Sequence, residues 1–114
     1  MSIIVKKPVH RLVTIIDSRP YYGVVQERLG LLQSWNVINI DGMRVIKGEV
    51  TTVEGTGRYS YGYVEAGNIK PVRLERQSAL AFLPYFEQES WQHRRRFPVE
   101  CERIGQQIRE FLAK

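Results

Sequence analysis

The sequence predicts an α+β fold: a small antiparallel five-stranded β-barrel followed by two or three C-terminal helices, in a single domain over residues 1–114. Three observations carry this. Residues 1–75 are mostly β-branched and aromatic runs separated by turn residues. An Asp41-Gly42 pair lies between two such runs, where a tight hairpin needs residues that tolerate φ > 0. Residues 76–114 are helical in texture, and strands first with helices last is the order of α+β folds. A chain of 114 residues can bury a core without disulfides or metals.

Taken in order, Arg11–Ile16 reads as a strand, and Asp17-Ser18-Arg19-Pro20 as the turn that ends it. Tyr21–Gln26 reads as a second strand. Residues 27–34 (ERLGLLQS) contain helix formers interrupted by Gly30 and are expected to form a loop or short turn. The run WNVINIDGMRVIKGEV is a hairpin. A two-residue Asp-Gly loop pairs Ile40 with Met43, Ile38 with Val45 and Asn36 with Lys47. Trp35, Val37, Asn39, Arg44 and Ile46 then share the other face. With large apolar residues on both faces, the ribbon suits a barrel or sandwich.

Glu54-Gly55-Thr56-Gly57 is the turn of a second hairpin. Pairing Val53 with Arg58 sets Thr52 opposite Tyr59, Val50 opposite Tyr61 and Gly48 opposite Tyr63. Tyr59, Tyr61 and Tyr63 alternate, so in a strand they form one stripe. That face would include Val50, while the other would carry Glu49, Thr51 and Ser60. Burial cost therefore makes the tyrosine face the expected core face, with hydroxyls at its rim. The alternative is a stacking platform for a ligand. Gly62 reads as a bulge or a point of close backbone approach.

The segment Gly62-Tyr63-Val64-Glu65-Ala66-Gly67-Asn68-Ile69-Lys70-Pro71-Val72 resembles the closing segment of SH3-type barrels. There a Gly-aromatic-aliphatic strand runs into a tight helical turn and a last short strand. The resemblance implies an SH3-like small-barrel topology. Glu65 stands where peptide-binding members carry Pro, and Asn68 where they carry the groove Tyr, so proline-peptide binding is not implied.

Arg76–Phe82 is rich in helix formers, and Pro84 reads as a break or as the first turn of a second short helix over Pro84–Gln92. Pro98 opens the last helix. Glu100 and Glu102 near its start and Lys114 at its end suit the macrodipole. Cys101, Ile104, Ile108, Phe111 and Leu112 form its apolar stripe, and Gly105 weakens it or admits a close neighbour.

Composition narrows the function. The one cysteine, Cys101, excludes an intrachain disulfide and reads as a small buried hydrophobe. No apolar run approaches the ~18 residues that span a bilayer. Lys6, Lys7, His10 and Arg11 interrupt the N-terminal apolar residues, so no secretory signal is read there, and a cytoplasmic location is expected. His10 and His93 lie in basic surroundings without a paired acid and read as surface histidines. No metal-ligand spacing or phosphate-loop pattern is present, so no catalytic residue, cofactor or metal is expected.

The net charge of +5 is spread: residues 1–76 carry 11 Lys/Arg against 7 Asp/Glu, and residues 77–114 carry 6 against 5. Two clusters stand out. His93-Arg94-Arg95-Arg96, flanked by Trp91 and Phe97, reads as an interhelix joint with a concentrated positive edge. Lys6, Lys7 and Arg11 form a looser group. The leading expectation is a non-catalytic protein-interaction module, an adaptor, assembly or regulatory factor, with a protein partner or a second copy of itself and no membrane. Its surplus aromatics Phe82, Tyr85, Phe86 and Trp91 would supply the contact patch. The alternative is a nucleic-acid-binding domain using His93–Arg96, Lys6, Lys7 and exposed tyrosines. In both readings the binding residues are Arg94, Arg95, Arg96, Trp91, Tyr59, Tyr61, Tyr63, Lys6 and Lys7. Contiguity of the basic groups with an exposed tyrosine face would favour nucleic acid; scattered charge beside an apolar patch would favour protein.

Overall fold

In a computed structural model of the chain, the backbone is described for residues 3–19, 24–53, 59–88 and 91–114, and side chains for 5–16, 27–52, 61–88 and 91–114. Five strands are followed by three helices among these residues: β1 (Ile3–Arg19), β2 (Val24–Ile40), β3 (Met43–Val53), β4 (Tyr59–Glu65), β5 (Ile69–Pro71), α1 (Arg76–Glu87), α2 (Gln92–Arg96) and α3 (Pro98–Leu112). The sheet is antiparallel with strand order β4-β3-β2-β1-β5. A 3₁₀ turn, Ala66–Asn68, joins β4 to β5. The helical turn and short last strand lie where the SH3 resemblance put them. The sheet curls into a half-barrel with the helices on its outer face.

The first hairpin has the expected register: Ile40 pairs with Met43, Ile38 with Val45 and Asn36 with Lys47. Asp41 (φ 48°) and Gly42 (φ 77°) both take the left-handed conformation that the two-residue turn demands. Other boundaries differ. β1 and β2 are each 17 residues long, so Asp17–Arg19 and residues 27–34 are strand rather than turn and loop. The reason is cross-strand pairing: Leu29 sits opposite Thr14 and Leu31 opposite Leu12, and this pairing overrides a weak local helix preference. Pro20, the end of the expected turn, and residues 21–23, the start of the expected second strand, lie outside the described residues.

The second hairpin is slipped by one residue. Val53 pairs with Tyr59, Thr51 with Tyr61 and Glu49 with Tyr63. The expected turn, Glu54-Gly55-Thr56-Gly57, lies outside the described residues. A one-residue slip exchanges faces. Val50 therefore leaves the tyrosine face, while Thr51 and Glu49 join it. Tyr61 is 49% and Tyr63 57% exposed, so the expectation of a core-facing stripe is corrected. Gly62 is neither bulged nor crowded: it pairs regularly with Val50 and has open space around it.

Two cores follow from the two faces of the sheet. On the outer face, Leu12, Leu29 and Leu31 pack against Ala79, Phe82 and Phe86 of α1 and Cys101, Ile104 and Ile108 of α3. On the inner face, Val13, Ile15, Leu32 and Val50 cluster with Val9, Trp35, Val64 and Ile69. Gly48 marks the curl. A Cβ there would stand 2.3 Å from Ile69 Cδ1 and 2.8 Å from Leu32 Cδ1, although β2 and β1 lie between β3 and β5 in the sheet.

α1 runs through Pro84 instead of breaking there. His93–Arg96 is not a joint but most of α2, a single short turn of helix. Pro98 is at the start of α3, and Gly105 is buried where a Cβ would stand 3.4 Å from Phe86 Cβ, which allows α3 to lie close to α1. No helix among the described residues is long and apolar enough to cross a membrane.

Candidate functional site: a bulge-built cavity between sheet and α2

The β1–β2 ladder breaks between Pro8 and Arg11, and the β2–β3 ladder breaks between Leu32 and Ser34. Val9 and His10 of β1 together lie opposite Gln33 of β2, and Gln33 is itself the extra residue of β2 against β3, so two β-bulges lie side by side. Bulges locally bend a strand and re-aim a side chain, and they recur beside functional sites. His10 adopts φ 55°, an uncommon conformation for a residue with a side chain. Its backbone oxygen accepts a 2.6 Å hydrogen bond from Arg103 Nη2 of α3, which holds the bulge in place.

Above the bulges lies a cavity of about 790 Å³ between the sheet and the α1–α2 segment. Lys6, Pro8 and His10 line it from β1, Gln33 and Ser34 from β2, Glu49 from β3 and Tyr61 from β4. Tyr85, Trp91, Gln92, His93, Arg96 and Phe97 close the other side. A ring cluster forms one wall. The His10 ring centroid is 4.2 Å from Phe97 and 5.3 Å from His93, and His93 is 5.2 Å from Trp91. The Arg96 guanidinium lies over the Phe97 ring at 5.4 Å, within cation–π range.

A buried carboxylate forms the floor. Glu49 is 7% exposed and receives three donors: Lys6 Nζ at 2.9 Å, Ser34 Oγ at 2.8 Å and the Tyr61 hydroxyl. Asn36 in turn donates to Ser34 Oγ at 3.2 Å. Burial by itself would raise the Glu49 pKa, but the hydrogen bonds from Tyr61, Lys6 and Ser34 outweigh it and hold the carboxyl below its ordinary value. The Tyr61 hydroxyl is pushed up by burial and by its bond to Glu49.

Both histidines are buried, His10 7% and His93 9% exposed, so the expectation of two surface histidines is corrected. α2 turns His93 toward the sheet and leaves Arg95 and Arg96 exposed, with Arg94 half-buried. Burial pushes His93 down to about 4, helped by the neighbouring His10 and Arg96, and lowers His10 as well. Both rings are therefore neutral at pH 7. The Gln33 amide nitrogen is 3.1 Å from Thr51 Oγ1 and 3.2 Å from His93 Nδ1. With that nitrogen donating to Nδ1, neutral His93 carries its proton on Nε2. His93 Nε2 and His10 Nδ1 are buried and have no hydrogen-bond partner among the described residues.

Of the residues picked from sequence, Lys6, Tyr61, Trp91 and Arg96 meet at this cavity. Tyr63 stands beside Tyr61 with ring centroids 6.2 Å apart. Lys7 turns to the other face of β1, opposite Trp35, away from the site. Tyr59 opens β4, and its side chain lies outside the described residues. Sequence reasoning passed over Gln33, Ser34 and Glu49. For Ser34 and Glu49 the one signal was alternation with Asn36 and Thr51 along their strands; Gln33, next to Ser34, had none. Cys101 is fully buried in the outer core, where burial pushes its thiol up to about 11. No group of three or more metal-ligating side chains occurs among the described residues. No protein-family model, curated protein or solved structure matches the chain.

Proposed function

We propose that this chain is a non-catalytic binding module for single-stranded nucleic acid, with the cavity under α2 as its site. One observation supports this above the rest: Lys6, Tyr61, Trp91 and Arg96, from segments 85 residues or more apart at the extremes, border one cavity. Single strands are held by aromatic platforms beside cations that follow the backbone. Arg94, Arg95 and Arg96 pair with no carboxylate among the described residues, so they are available to an anion. A planar guanidinium suits phosphate. Tyr61 and Tyr63 extend the ring surface along the open edge of the sheet.

A protein partner is the second reading. It is favoured by Val5, Ile40, Met43 and Ile46, exposed apolar residues of β1–β3 toward the Asp41-Gly42 turn.

Fluorescence anisotropy with a short labelled oligonucleotide across a salt series tests the proposal. Phosphate contacts by Lys6, Arg94, Arg95 and Arg96 would give a slope of log affinity against log salt of about −3. Changing Arg94, Arg95 and Arg96 together to Glu should leave the melting temperature nearly unchanged and abolish binding. Binding that is absent at physiological salt would remove nucleic acid and leave the protein reading. Unfolding of the triple variant would make the arginines structural.

A further inference from the structure

We infer that the cavity accepts one unstacked nucleobase, held against its aromatic wall beside Gln33 and His93, with the phosphate left outside at Lys6 and Arg96. This rests on the nucleic-acid reading above and specifies what enters the site.

Three observations lead to it. The first is a built polar wall. Gln33 Nε2 lies 3.2 Å from His93 Nδ1, and both residues line the cavity with His10, whose ring centroid is 5.3 Å from that of His93. Arg103 of α3 anchors the bulge that carries His10.

The second is shape. The cavity of about 790 Å³ lies within the range of roughly 300–1,000 Å³ typical of small-ligand sites. Aromatic rings from Tyr61, Tyr85, Trp91 and Phe97 face it, and every base has a π-face that stacks on such rings. The third is charge placement. The buried anion Glu49 is already satisfied by Lys6, Ser34 and Tyr61, so it does not demand a cationic ligand. The two histidines are neutral, so the interior favours an uncharged planar group. The cations stand at the entrance: the Lys6 side chain is 58% exposed despite its ion pair, and Arg96 is exposed. A neutral ring inside with an anion outside is the charge pattern of a nucleotide.

The test compares a labelled oligonucleotide with an abasic oligonucleotide of equal length and charge, followed by titration calorimetry with the four ribonucleoside monophosphates and with ribose 5-phosphate. The expected result has four parts. The abasic strand binds at least tenfold more weakly than the normal strand with the same salt slope. At least one monophosphate binds with 1:1 stoichiometry and displaces the oligonucleotide. Ribose 5-phosphate does not bind. Tyr61→Ala, which removes one aromatic wall, weakens the monophosphate about tenfold, the size of one lost base stack. Equal binding of normal and abasic strands would overturn the base pocket while leaving the nucleic-acid reading intact. Failure of both strands to bind would overturn that reading and the inference with it. If Tyr61→Ala does not fold, the abasic comparison on the native chain decides alone.

Discussion

Acidification should destabilise this protein well above the pH at which its carboxylates titrate, and His93 is the reason. Its folded-state pKa is about 4, against an ordinary 6.5, because burial disfavours the imidazolium. The unfolded chain therefore takes up a proton on this ring first. Stability is flat above about pH 6.5 and falls with decreasing pH until the folded state protonates near 4. Integrating between those two values, the loss from pH 7 to pH 5 is about 2 kcal/mol, and the full difference is worth about 3 kcal/mol. Protonation would also set a new Nδ1–H against the Gln33 amide that donates to it. His10, lowered for the same first cause, adds in the same direction. Urea unfolding at a series of pH values measures this directly. With a slope of about 1.5 kcal/mol/M for a domain of this size, the midpoint should drop by more than about 1 M between pH 7 and pH 5. His93→Phe should remove most of that dependence while leaving a folded protein. A midpoint that stays constant over this range, or a His93→Phe variant with the native pH profile, would refute the buried neutral histidine.

Other consequences are simpler. Gly48→Ala should destabilise the fold by about 1–3 kcal/mol, read by thermal melting, because its methyl would press on Ile69 and Leu32 where the sheet curls. Gly62→Val should be neutral or stabilising, since the added side chain meets open space in a regular strand pair with Val50. Cys101 should react with a thiol reagent only as fast as the protein unfolds, because it is fully buried and its thiol is raised to about 11.

What was legible in the sequence followed from local geometry. Asp41-Gly42 permits few turn conformations, so one dipeptide pinned seven residues of register on either side of it, up to the bulge at Gln33. The apolar spacing of α3 and the arrival of Pro98 defined its start and buried face. The register of β4 was not legible in the same way. Gly55-Thr56-Gly57 allows connections of several lengths, and one extra residue was enough to move the tyrosines from the expected core to an open edge. Residues 27–34 were misjudged because Leu29 and Leu31 become a strand only when Thr14 and Leu12 lie opposite. The site was the least legible part. His10 and Gln33 reach the cavity through bulges in neighbouring strands, and nothing local in VHRL or LQSW announces a bulge. His93 looked like a surface residue because three arginines follow it, yet on a helix four consecutive residues point to different sides. The basic and aromatic residues near α2 were visible as composition, but their meeting with Lys6 and Tyr61 depends on the tertiary fold.

The central claim is that ligands bind at the cavity between the bulged strands and α2. Two-dimensional NMR of the labelled protein, titrated with a short single-stranded oligonucleotide at low salt, tests it most directly. The account predicts shifts concentrated at His10, Gln33, Tyr61, the Trp91 indole and the backbone of His93–Phe97, with little change at Trp35 on the opposite face. Shifts confined to the Ile40–Met43 end of the long hairpin, or no shifts at all, would contradict it.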